Sequence, residues 1–163
     1  DLLIDYAHPI LCLDDTNQMQ QDSPGERIPL VAKPDGEWNS PFPQPVRISV
    51  RLSDSGSRAF ILRLDSGANV PQLYVNQLGT TPWVQGKNAL RGSVTGKTEE
   101  FFGLMSPQNV RIGKQLLGYI MFSTPMRTKQ NVAVEGEDGL IPTGLFKRVL
   151  ISYADRFVIL DPR

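Results

Sequence analysis

Thirteen prolines and fourteen glycines are scattered along the 163 residues of this chain. Proline removes the N–H that a helix interior or a central strand needs, and glycine weakens both. A chain punctuated this often forms short elements joined by turns, and several of the apolar runs between the turns alternate as half-buried strands do. The expected class is therefore all-β. The length suits one domain with its own core, and 40% hydrophobic against 21% charged residues marks a globular chain. Seventeen basic residues balance seventeen acidic ones. That balance gives no sign of the clustered positive surface that nucleic acid requires. No apolar run is long enough for a membrane-spanning helix and no signal-peptide pattern opens the chain, so neither nucleic acid nor membrane is an expected partner.

The two ends resemble each other. The opening LLIDYAHPILCLDD and the closing VLISYADRFVILDP align without gaps, matching Ile4 with Ile151, Tyr6 with Tyr153, Ala7 with Ala154, Leu13 with Leu160 and Asp14 with Asp161. Each reads as strand, short polar turn, strand. The shared order of residues points to a repeated unit, with residues 1–15 the tail hairpin of a preceding similar lobe. The opening at DLLIDY, without an initiator Met, reads as a piece of a longer polypeptide, so no compartment is fixed. Cys12 has no second cysteine to pair with and is expected to be a small core residue.

Residues 16–45 are polar and proline-rich, with one weak strand candidate at IPLVA, and read as a linker or extended arm. The lobe proper is expected over 46–163. There VRISVRLS and RAFILRL flank a glycine-containing turn and form a hairpin that ends on Asp65. Further strands are expected around Gly92 and Gly96 and on both sides of Gly113. The segment IPTGLFKRVL is the best helix candidate, with Pro142 in a first turn and Leu145, Phe146, Val149 and Leu150 in helix-compatible spacing.

Asp65 carries the chemistry. It closes the apolar run FILRL and is followed by Ser66, Gly67 and Ala68. Asp-Ser-Gly is ordinary turn chemistry, but its position at the mouth of a buried strand suits a carboxylate held for use. The same triplet at Asp54, in a polar hairpin turn, reads as a turn alone. Strand, Asp-Ser-Gly-Ala, glycine-containing hairpin, apolar pair, short helix and closing strands together resemble the retropepsin-like aspartic proteases. The resemblance covers roughly residues 46–162 and rests on one strong motif. It implies an acid-protease lobe, a small closed or partly closed barrel with one short C-terminal helix. It further implies a polypeptide substrate, and a hairpin flap formed by Leu90, Arg91, Gly92, Ser93, Val94, Thr95, Gly96 and Lys97. Asp65 would be catalytic, with Ser66, Gly67 and Ala68 supporting its loop. Hydrolysis by paired carboxylates needs two Asp side chains sharing one proton. One lobe supplies one Asp, so the second would come from a homodimer partner or a preceding lobe. Two departures stand out: Leu140-Ile141 is followed by Pro142 where the family has glycine, and the flap lacks a Gly-Gly pair.

A second reading makes the chain a non-catalytic retropepsin-like binding or dimerisation module. No metal or other cofactor is expected, because His8 has no partner at metal-ligand spacing. The stretch Gly92 to Thr98 falls short of a phosphate-binding loop, with Arg91 in the first glycine's place. A serine triad is not expected, because no suitably placed serine accompanies His8.

Overall fold

The computed structural model describes residues 1–14, 17–32, 44–53, 56–74, 83–93, 96–125 and 136–162, and at 17, 83–93, 96–102 and 125 only the backbone. The described chain is built from strands in two sheets. The first is antiparallel and runs β2 (Ile10–Leu13), β1 (Leu2–Asp5), β13 (Phe146–Ser152), β14 (Phe157–Pro162), β3 (Glu26–Pro29). The second has nine strands and curls into a half-barrel. Its order is β10 (Gln115–Ile120), β9 (Gln108–Ile112), β4 (Arg47–Leu52), β5 (Ala59–Asp65), β12 (Gly139–Pro142), β6 (Gln72–Leu73), β11 (Ser123–Pro125), β8 (Gly96–Met105), β7 (Trp83–Ser93).

The period-2 pattern places the core. Ile48, Val50 and Leu52 of β4 and Phe60, Leu62 and Leu64 of β5 point inward, as do Val110 and Ile112 of β9. They meet Val149, Ile151, Val158 and Leu160 on one face of the first sheet. The other face of that sheet carries Leu150, Phe157 and Ile159. Leu3 packs beside them, as does Met19 of the five-residue helix α1 (Asn17–Gln21). Apolar area removed from water on both faces is the main stabilising term.

Three sequence expectations change here. The helix expected over IPTGLFKRVL is absent; the segment forms β12, a single 3-10 turn at Thr143–Leu145, and β13. Backbone partners on both sides and buried faces on both surfaces outweigh a spacing that also fitted a helix. The described α-helix lies instead in the stretch that read as a linker, whose residues 26–29 form β3 on the edge of β14. Cys12 is half-buried on β2, beside the exposed Leu11 and Leu13, and is not a core residue.

Two carboxylates hold the N-terminal segment in place. Asp5 Oδ1 accepts the N–H of Ala7 at 2.8 Å and of His8 at 3.0 Å, and Oδ2 accepts Arg148 Nε of β13 at 2.9 Å. Burial pushes this carboxyl up, but the hydrogen bonds from the His8 side chain and the two N–H groups, with the Arg148 charge, hold it below its ordinary value. Asp155, in the β13–β14 turn, is held below its ordinary value chiefly by the Gln20 amide of α1 and the Ser152 hydroxyl, against its own desolvation. A carboxyl lowered on folding stabilises above its unfolded value near 4, and the contribution is lost as pH falls through the folded value. Docking of β1, β2 and α1 is thus expected to weaken below about pH 4. Amide exchange in β1, corrected for intrinsic rates and referred to β4, should accelerate between about pH 6 and about pH 3; an unchanged ratio would contradict this.

Candidate functional site

Asp65 is the last residue of β5, and β12 runs parallel beside it, pairing Ile141 with Leu64 and Pro142 with Asp65. The same β12 pairs antiparallel with β6 on its other side. A Cβ on Gly139 would lie 2.1 Å from the Gln72 carbonyl oxygen, so only glycine lets β12 pass this close to β6. The Leu140-Ile141 pair therefore lies alongside the strand that presents Asp65, and Pro142 fits because its β-region backbone leads into the 3-10 turn.

The Asp65 carboxylate uses both oxygens. Oδ1 accepts the Gly67 N–H at 2.9 Å, closing the turn, and Oδ2 accepts Arg63 Nη2 at 3.3 Å. Its side chain remains 28% exposed, so it is held and yet reachable from solvent. Arg63 Nη1 is also 3.6 Å from Glu137 Oε2, and Glu137 Oε1 accepts Arg47 Nε at 3.0 Å. The Arg47 and Glu137 side chains are 2% and 0% exposed. A chain of alternating charges thus runs from the interior to the candidate site. Burying an ion pair is costly, and removing one member leaves the other uncompensated.

Of the loop residues predicted to support Asp65, Gly67 does so through its N–H. The exposed Ser66 makes no side-chain hydrogen bond to another described residue, so Asp65 itself locks the turn. Ala68 is half-buried in the same turn. A Cβ on Gly67 would meet Asp65 Oδ1 at 3.4 Å, an ordinary contact. Nothing within the described lobe demands glycine there. The flap candidates fall on the hairpin of β7 and β8, in which Leu90 pairs with Glu99, Arg91 with Thr98, Gly92 with Lys97 and Ser93 with Gly96. Val94 and Thr95 lie outside the described residues, as does Asp54. In the sheet this hairpin is separated from β5 by β12, β6 and β11.

Two site residues escaped sequence reasoning. Glu137 sits in the polar, glycine-containing stretch EGEDG, and Arg47 opens a strand whose pattern marks only its apolar residues. Their separation in sequence left no local signal. His8 belongs to the β1–β2 turn, with Nδ1 at 3.2 Å from Asp5 Oδ2. Among the described residues, no three His, Cys, Asp or Glu side chains converge as a metal site would require. A comparison of the chain with protein-family models and with curated protein sequences finds no match.

Arg47→Met, which leaves the Glu137 carboxylate buried with only Arg63 beside it among the described cations, should destabilise the fold by about 3–5 kcal/mol in urea unfolding; a loss below about 1 kcal/mol would contradict the buried pair. Gly67→Ala should leave the urea midpoint of the isolated chain nearly unchanged. A large drop would mean that the turn itself requires glycine.

Proposed function

We propose that this chain carries one retropepsin-like lobe of an aspartic endopeptidase, in which Asp65 is half of a carboxyl pair and a second lobe supplies the other half. The observation that carries this reading is the setting of Asp65. It stands at the carboxyl end of a buried strand, its turn is closed by the Gly67 N–H, the Leu140-Ile141 segment runs parallel beside it, and its side chain is partly open to solvent. The surroundings of Gly67 fit the same reading: a Cβ there would make only an ordinary contact with Asp65 Oδ1 among the described residues, and a glycine that these do not require leaves room for a second backbone.

In the assembled pair one carboxyl is ionised and the other protonated. The ionised group takes a proton from a water molecule as the water oxygen bonds to the peptide carbonyl carbon, and the protonated group gives its proton to the carbonyl oxygen. The tetrahedral diol then collapses. The C–N bond breaks as the nitrogen gains a proton from one carboxyl, the other carboxyl recovers the hydroxyl proton, and the pair again holds one proton. The β7–β8 hairpin would cover the bound polypeptide. Metal or cofactor chemistry has no part in this scheme.

One observation favours the non-catalytic module: Arg63 pairs with the carboxylate that would have to share a proton. Activity of the assembled protein separates the two readings. Asp65→Asn keeps the shape and removes the base, so peptide cleavage should fall by at least about 10²–10⁴-fold with the fold intact. The parent rate should follow a bell in pH, with its maximum on the acid side, because the working form carries one proton on two groups. Unchanged cleavage by Asp65→Asn, or a rate rising steadily into alkaline pH, would overturn the catalytic assignment.

A further inference from the structure

The repeat at the two chain ends is reproduced in the pairing register. In the N-terminal hairpin Leu2 pairs with Leu13, Leu3 with Cys12, Ile4 with Leu11 and Asp5 with Ile10. In the C-terminal hairpin their aligned counterparts pair in the same way: Val149 with Leu160, Leu150 with Ile159, Ile151 with Val158, Ser152 with Phe157. Both turns are closed alike, since the His8 N–H donates to the Asp5 side chain and the Asp155 N–H to the Ser152 hydroxyl. They differ at the last turn position, where Arg156 has φ 59°, a value closed to Pro9.

The two hairpins also meet symmetrically. Leu3 pairs with Leu150, its own counterpart. Leu2 pairs with Ile151, the counterpart of Ile4, and Ile4 pairs with Val149, the counterpart of Leu2. An antiparallel contact in which each residue meets its partner's counterpart has a local two-fold axis, here between Leu3 and Leu150. The surroundings break that symmetry. Val158 and Leu160 are fully buried under the core, whereas Leu11 and Leu13, their counterparts, are 68% and 77% exposed. The outer edge of β14 is covered by β3, whereas β2 has no outer neighbour among the described strands.

We infer that the β1–β2 hairpin is the closing hairpin of a second lobe of this fold, carried on the same polypeptide ahead of β1 and docked about this axis. That lobe would cover Leu11 and Leu13 with its own core and lay a counterpart of β3 along β2, removing the open edge. Tyr6 specifies a further contact. Its hydroxyl hydrogen-bonds Thr143, in the turn that follows β12, so the hairpin of one lobe reaches the site region of the other. Tyr153, the counterpart of Tyr6, is 40% exposed and would meet the corresponding turn of the second lobe. The sequence match between the two hairpins, their register and their unequal burial thus point to a copy of the same lobe as the partner. The inference does not rest on Asp65 being catalytic.

The test compares residues 1–163 with the complete gene product that contains them, by hydrogen exchange on β2 and by the double variant Leu11→Asp, Leu13→Asp. In the complete protein, β2 amides should exchange slower by about 100-fold or more than in the shorter chain. The double variant should leave the unfolding midpoint of 1–163 unchanged, because both side chains are exposed. In the complete protein it should loosen the lobes, seen as faster proteolytic cleavage between residues 15 and 45. The inference is overturned by equal β2 exchange in the two proteins, by no effect of the double variant on the complete protein, by a gene product with no such lobe ahead of Asp1, or by a homodimer of 1–163 that buries Leu11 and Leu13. None of these readouts uses peptide cleavage, so failure here and failure of the peptidase reading are separable.

Discussion

The pairing of β12 between β5 and β6 is the constraint on which the candidate site depends. Four residues, Gly139 to Pro142, complete the backbone ladder of β5 on one side and approach β6 on the other. That close approach excludes any side chain at Gly139. Fixing β12 fixes what precedes and follows it. Asp138 accepts the Ile61 N–H at 2.7 Å, and Glu137 is delivered to the buried Arg47. Downstream, Thr143 is placed within reach of Tyr6 and the chain enters β13. The candidate site, the buried ion pair and the contact with the N-terminal hairpin therefore share one short strand.

Two kinds of residue surround Asp65. The apolar ones, Leu62, Leu64 and Ile141, are buried and anchor β5 and β12 in the core. The charged ones form the series Arg47, Glu137, Arg63, Asp65, which spans the change from interior to solvent. A carboxylate fixed by one N–H and one guanidinium has a defined orientation while staying partly exposed. Such preorganisation suits a group that acts on, or grips, something arriving from solvent.

Much of the β4–β5 hairpin was legible in the sequence because its alternation matches the pleat and one face is buried. The place of Asp65 at the end of β5 was legible because the apolar run FILRL stops there and turn residues follow. The β13 segment was not, for a physical reason. Val149, Leu150 and Ile151 are all buried, since one sheet face meets the core and the other meets the layer around Met19. A strand covered on both faces loses the period-2 signal and can be mistaken for a helix. Helix α1 was hidden by its brevity, having only five residues in a polar stretch. The Arg47–Glu137 pair links positions far apart in the chain, and charge composition alone does not say which charges are buried.

The central claim is that Asp65 works with a second carboxylate from another lobe. The most direct measurement is the distance from the Asp65 carboxyl oxygens to the nearest carboxylate in a structure of the assembled two-lobe protein. Oxygen atoms about 3 Å apart, close enough to share a proton, are the predicted result. A gap too wide for one proton to bridge, with Arg63 as the sole charged neighbour of Asp65, would contradict the claim.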